Sequence, residues 1–83
     1  MPNLLKVRLV SPRGIIYQSE ALSVSGTNSK GKFDILPQHA NFLTVVENGP
    51  IIIREKGKKD IKLGLPMAII YTAKNTVNIY IQF

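Results

Sequence analysis

The side chains able to do covalent or acid–base chemistry are few, and none falls into a working pattern. His39 is the lone histidine and cysteine is absent, which removes a multi-histidine metal centre, a histidine-pair mechanism, a thiolate site and any disulfide framework. The acids Glu20, Asp34, Glu47, Glu55 and Asp60 sit apart in different predicted turns and strands, with no motif spacing. Gly26 and Gly31 frame a loop, but no Lys-Ser/Thr follows and no helix is predicted there to hold a phosphate. Because even a compact catalyst needs convergent groups, no catalytic, cofactor-binding or metal-binding residue is assigned, and the chain is expected not to be an enzyme by itself.

What remains is binding. Lys and Arg total 11 against 5 acids, a net charge of +6, which favours an anionic partner without choosing among nucleic acid, phospholipid and an acidic protein face. Lys56, Lys58, Lys59 and Lys62 crowd one predicted hairpin tip; a solvated loop that keeps edge strands apart is preferred there over a binding patch. An oligonucleotide-binding barrel needs aromatics on an exposed strand face. Aromatics are only 7%, with Phe33, Phe42 and Phe83 at mainly apolar positions and Tyr17, Tyr71 and Tyr80 scattered.

The elements that must carry these residues are strands. Period-two alternation in short runs, broken by Gly, Pro, Asn and Asp, dominates the chain. Leu5, Val7 and Leu9 share one face, Lys6 and Arg8 the other, up to a turn at 11–14. Leu22 and Val24 alternate with Ala21, Ser23 and Ser25, and a loop is expected over 26–31. Phe33 and Ile35 lead to Pro37, which marks a strand end or edge. The apolar run 42–46 closes at Glu47-Asn48-Gly49-Pro50, and Ile51-Ile52-Ile53 reads as a central strand. A basic hairpin turn at Gly57, a strand over 67–71, and Val77, Ile79 and Ile81 facing inward complete the pattern. With 83 residues the expectation is one domain over 1–83: an all-β sandwich or flattened barrel of about eight to ten mostly antiparallel strands. No apolar stretch is long enough to cross a bilayer as a helix, and Met1-Pro2-Asn3 begins no charged leader, so a chain that is not exported is expected.

One segment is more specific than a generic sandwich. In GKFDILPQHANFLT, residues 31–44, a Phe-Asp-Ile-Leu-Pro strand runs into Gln38-His39-Ala40 and then Leu43-Thr44. By physics alone this is a tight corner in which His39 bonds a backbone carbonyl. The order also resembles the N-terminal β-sandwich of the epsilon subunit of F-type rotary ATP synthases, where Gly-x-Phe-Gly-Ile-Leu-Pro precedes x-His-Ala-Pro. The likeness extends to LKVRLVSPRGIIYQSEALSVSG before it, and to Gly49-Pro50-Ile51-Ile52-Ile53-Arg54 and Asn75-Thr76-Val77-Asn78-Ile79 after it. Departures are Asp34 for the family's Gly, Asn41 for its Pro, and Met67-Ala68-Ile69 for its Gly-Gly-Phe. Asp tolerates a left-handed backbone, so Asp34 is expected to keep a positive φ, whereas Met67 and Ala68 suggest a locally changed strand.

The resemblance implies a non-catalytic rotor subunit at the foot of the central stalk, on the cytoplasmic face of the membrane or its organelle equivalent. It would link the gamma subunit to the membrane c ring in proton-driven ATP synthesis. Ser11, Gln38, His39, Asn41 and Phe42 would lie at the gamma contact, and Ser29, Lys30, Gly31 and Lys32 would face the c ring. Lys32 stands where the family often has an acid or amide, so the ring loop is expected to offer a compensating acid. The resemblance implies no cofactor, no nucleic acid, membrane contact only through the ring, and no stable homo-oligomer in the complex. The family's inhibitory helical hairpin is expected to be missing after Phe83. The alternatives are a diverged epsilon-like sandwich with a different protein partner, and a basic oligonucleotide-binding barrel.

Overall fold

A computed structural model describes residues 4–82; Phe83 and the opening Met1-Pro2-Asn3 lie outside the described residues. Six strands run through it: β1 Leu5–Ser11, β2 Gly14–Asn28, β3 Gly31–Ile35, β4 Phe42–Glu55, β5 Ile61–Ala73 and β6 Thr76–Ile81. They hydrogen-bond in the order β1-β6-β5-β4-β2-β3, and an added β1–β2 pairing closes the sheet on itself. Only β1–β6 is parallel. The all-β, barrel-like expectation therefore holds, with fewer and longer strands than expected.

The strand count drops because residues that normally end strands are absorbed within them. Asn48 takes φ 52° and Gly49-Pro50 follows, yet β4 continues straight through, still paired with β5 from Phe42↔Thr72 to Ile53↔Ile61. The bend there moves β4 from one layer of the flattened barrel to the other. In β2 the same transfer is made by a bulge between Ala21 and Ser23, where an extra residue kinks and twists the strand. The bulge also resets the face parity: Ala21 and Val24 both enter the core and Leu22 turns outward, unlike the unbroken alternation expected. Met67 and Ala68 sit inside an uninterrupted β5. Asp34 is not left-handed either; it stays extended in β3 opposite Ser25, which satisfies its carboxylate.

The turns are chosen by local chemistry. Ser11 Oγ accepts from Arg13 N–H at 3.1 Å and donates to Gly14 O at 3.3 Å, closing the β1–β2 turn before Gly14 at φ 119°. The expected 26–31 loop shrinks to a turn at Ser29 and Lys30, since Asn28 Oδ1 accepts from Lys30 N–H at 2.9 Å. Lys74 and Asn75 both have positive φ, the backbone a two-residue β5–β6 hairpin demands.

The core lies between the two layers. Leu5, Val7, Val24, Ile35, Ile51, Ile53, Ile70, Val77 and Ile79 are wholly buried. Each contributes about 1.5–3 kcal/mol by leaving water, which is what allows a chain this short to hold without disulfides. Ile51 and Ile53 are buried and Ile52 half-buried, as the central-strand reading expects. Phe33 lies across Gly26 on the neighbouring strand and meets Phe42 edge to face, ring centres 5.4 Å apart.

Candidate interaction surface

Alternation within strands leaves two outer faces. On one, cross-strand neighbours form a row running Ile15–Val10–Tyr80–Ile69–Val45 through β2, β1, β6, β5 and β4. At a strand spacing of about 4.8 Å, that row is roughly 19 Å of apolar surface. The next row runs Gln18–Arg8–Asn78–Tyr71–Leu43, and Met67 extends the patch beyond Ile69. Leu43 is 67% exposed, and Val45, Met67, Ile69, Tyr71 and Tyr80 are each about two-fifths exposed. Large apolar side chains gathered contiguously, rather than scattered singly, mark a surface built to be covered.

The opposite face, made by β3 and the other halves of β2, β4 and β5, is polar and closed on itself. Arg54 Nη1 donates to Ser25 Oγ at 3.1 Å and to Ser23 Oγ at 3.4 Å, Ser25 Oγ donates to Asp34 Oδ1 at 2.5 Å, and Arg54 Nε stands 3.6 Å from Asp60 Oδ2. The Arg54 stem covers Ser23 and Ser25, leaving each under a tenth exposed.

The sequence-derived contact residues divide between loops and core. Ser11 is buried and spends its hydroxyl on its own turn. It lies at the far end of β1 from Gln38, whose N–H donates to Asn75 Oδ1 in the β5–β6 turn beside Lys6. Gln38 is left-handed at φ 68°. His39 makes the expected carbonyl bond, Nδ1 to Ala40 O at 2.8 Å, while its N–H donates to Leu36 O at 3.1 Å. Asn41 is exposed. Phe42 turns inward against the core, Phe33 and His39; its neighbour Leu43 is the residue that points out. Ser29, Lys30, Gly31 and Lys32 are all exposed at the β2–β3 turn, with Gly31 at φ 116°. That turn is tied to β4 by Asn28 Nδ2 donating to Thr44 Oγ1 at 3.0 Å.

Two groupings escaped the sequence. Tyr71 and Tyr80, expected as scattered, share the apolar face. Their signal was the loss of alternation in 42–46 and 67–71: runs apolar at both parities cannot bury both faces on one core. Tyr17 and Glu55, 38 positions apart, meet with the Tyr17 hydroxyl donating to Glu55 Oε2 at 2.5 Å. Glu55 is only 6% exposed. The hydroxyls of Ser19 and then Tyr17 hold its carboxyl below the ordinary value, against the opposing effect of burial. The bond to Glu55, with burial, pushes the Tyr17 phenol up. Ser19 Oγ, shielded from water, stands beside the carboxylate without completing a bond of good geometry, so the Tyr17 bond is the one that closes the pair. Nothing in the sequence but the pairing of β2 with β4 brings them together. Among the described residues, no three of His, Asp and Glu gather as a metal ion would need.

The comparisons with known proteins agree with this architecture. The family model of the ATP synthase delta/epsilon chain β-sandwich domain matches residues 4–82. The ATP synthase epsilon chain of Sulfurimonas denitrificans is 39% identical over 54 residues, 65% of this chain and 42% of that one. The epsilon chain of a Nitratiruptor species is 39% identical over 57 residues, 68% and 44% of the two chains. That of Ureaplasma parvum is 30% identical across 100% of this chain and 62% of its own. The chain thus spans about half the length of the curated relatives it matches. A chain in the mitochondrial ATP synthase of Euglena gracilis superposes with a TM-score of 0.85 at 14% identity, covering 98% of this chain and 52% of that one. One in the central stalk and c ring of the Tetrahymena thermophila enzyme gives 0.74 at 18%, with 95% and 63% covered. At those identities the superpositions establish the fold.

Proposed function

The chain belongs to the ATP synthase delta/epsilon β-sandwich family, and we propose on that premise that it is a non-catalytic rotor subunit of the epsilon type, one domain over 1–83, that couples gamma to the c ring in proton-driven ATP synthesis. The observation that carries the proposal is the contiguous apolar outer face, which is the face offered to gamma. Buried apolar contact around a few anchors supplies the affinity, with Leu43, Ile69 and Tyr71 at the centre. The corner at Gln38, His39 and Asn41, beside Leu43, forms its rim, while Ser11 and Phe42 act by shaping the turn and the core.

The exposed turn of Ser29, Lys30, Gly31 and Lys32 is the ring contact, and its lysines call for carboxylates on the ring loop. Placement at the foot of the stalk puts the subunit on the cytoplasmic or equivalent organelle side of the membrane, touching lipid only through the ring. The rival oligonucleotide reading draws on Tyr71 and Tyr80 sharing a face, but their neighbours Leu43, Val45, Met67 and Ile69 are apolar, and Arg8 is the one cation in those two rows where a phosphate groove needs several.

Co-purification of the tagged chain with gamma from the same organism tests the proposal. Wild type and Lys32→Glu are expected to retain gamma and Leu43→Asp to release it. A folded wild-type chain that ignores gamma would transfer the face to another partner, and salt-sensitive capture of single-stranded oligonucleotide in its place would favour the barrel reading.

A further inference from the structure

The apolar face ends on a strand edge that nothing pairs. β4 is bonded to β5 along 42–53 but to β2 only over 52–55, so over 42–47 the side of β4 turned away from β5 has no strand beside it among the described residues. Two prolines fix which backbone groups face that side. The β4–β5 register is constant, with Pro50 opposite Gly64 and Pro66 falling opposite Asn48. Antiparallel strands alternate hydrogen-bonded with non-hydrogen-bonded pairs, and proline has no N–H to give. The even positions of β4 are thus the non-bonded ones toward β5, and Thr44 and Val46 turn N–H and C=O to the open side. The same parity turns Ile52 and Arg54 toward β2, which lies there. Across the open edge, Thr27, Asn28 and Ser29 wall a cavity of about 550 Å³ whose other side is Leu43, Thr44 and Val45. Natural edges are guarded by charge, proline or brevity. β3 is five residues long and carries Lys32 and Asp34, and the start of β5, unpaired by β6, carries Lys62 and Pro66. β4 over 42–46 has no such guard; its outward side chains are Leu43 and Val45, both exposed.

Resting on the docking face proposed above, we propose that the open edge of β4 takes one extended segment of the docked partner as an added strand, bonded through its main chain to Thr44 and Val46. Alternating N–H and C=O groups along an edge are matched by another extended backbone, which is how peptides add to exposed sheet edges. The added strand lies next to Val45 at the end of the row Ile15–Val10–Tyr80–Ile69–Val45. Its residues beside Leu43 and Val45 are therefore apolar, and none that bonds the edge is proline. A second copy of this chain is a poor occupant. The β2–β3 turn is tied to this edge by Asn28 and Thr44, so twofold pairing of two β4 edges would bring Lys30 and Lys32 of both copies together, like charge against like. The ladder gives the partner a register, because a slip of one residue turns its apolar side chains away from the face.

The experiment measures gamma affinity for the full chain, Val46→Pro and Ile69→Asp, with unfolding midpoints and backbone amide exchange alongside. Val46→Pro removes one edge N–H and no bond to β5, and is expected to weaken gamma binding about tenfold. Ile69→Asp charges the face without touching the edge and is expected to release gamma. In the free wild-type chain the Thr44 and Val46 amides should exchange faster than those of Leu43 and Val45, which β5 holds, and gamma should slow them at least about tenfold. If Ile69→Asp releases gamma while Val46→Pro binds like wild type, or the two edge amides are slowed by less than that, the added strand is wrong and the docking face stands. A folded wild-type chain that does not bind gamma overturns both. A dimer of the free chain in sedimentation that Val46→Pro abolishes would give the edge to a second copy and overturn the partner segment. Should Val46→Pro lose its fold, exchange in the wild-type complex decides by the same threshold.

Discussion

The two outer faces are made by the same long strands, and β2, β4 and β5 each contribute to both, yet the faces solve the problem of exposure in opposite ways. On the polar face, Arg54 lies over Ser23 and Ser25 and reaches Asp60, so every group it shields has a partner. On the other, Leu43, Val45, Ile69, Tyr71 and Tyr80 are left open. One face closes its own polar groups; the other leaves large apolar side chains open. A bend in a strand is what permits this, because it lets a single strand serve two surfaces with different residues.

The sharpest way to break the contrast is to charge the open face. Ile69→Asp combined with Leu43→Asp is expected to cost more than about 100-fold in gamma affinity, read by equilibrium binding. The same variant should keep its unfolding midpoint within a few degrees, since neither side chain belongs to the core. Loss of the fold instead would mean that the face supports the barrel rather than a partner.

Arg54→Met should show the reverse pattern. Stripping the guanidinium leaves Ser23, Ser25 and Asp60 short of a donor and lowers stability by about 1–2 kcal/mol in denaturant titration, with gamma binding unchanged. The exposed Arg54–Asp60 pair adds little to that figure, both side chains being about half exposed.

Glu55 tests the join between the layers. Folding lowers its pKa, so the native state takes up that proton less readily than the unfolded chain does. Its contribution is therefore whole above the ordinary value of 4.5 and is lost as pH falls through the depressed native value. Tyr17, raised above 10.0, acts at the other end, its contribution present below that value and lost as pH rises through the native one. Glu55→Gln should flatten the acid limb of a stability–pH curve measured by urea titration, and Tyr17→Phe the alkaline limb, each with a loss of about 1 kcal/mol at neutral pH. An acid limb unchanged by Glu55→Gln would assign acid unfolding to other carboxylates.

The smallest effect is expected at the β2–β3 turn. Lys30→Glu with Lys32→Glu should leave stability within about 0.5 kcal/mol and gamma binding intact, while weakening retention on the c ring in a salt-dependent way. Ring binding strengthened by the reversal would mean that the ring loop offers cations rather than carboxylates.

Much of this was legible from residue order. Leu5, Val7 and Leu9, and Val77, Ile79 and Ile81, announce half-buried strands by strict alternation, and they are buried as expected. The turns at 11–14 and at Gly57 were marked by residues with local reasons to turn. Where reading went astray, two local signals competed. Asn48-Gly49-Pro50 has the composition of a loop, but pairing with β5 along its whole length outweighs that preference and keeps β4 continuous. Leu22 looked inward by parity, and a bulge that no residue type advertises turned it out. Phe42 was placed by the resemblance at the gamma contact; in the fold it packs against Phe33, and its neighbour Leu43 takes the exposed position, which the motif alone did not distinguish.

The sequence by itself determined the class of fold, the inward residues of the regular strands, the family and the absence of a conventional catalytic motif, because these depend on period, composition and contiguous motif. Which apolar residues stay outside, and which polar atoms go unpaired, was decided only by the tertiary structure. Both depend on which strand lies beside which and on where β2 and β4 bend between layers. Cross-strand register joins Ile15 to Val45 and Arg8 to Asn78 across tens of residues of chain, and no local pattern encodes a neighbour that distant.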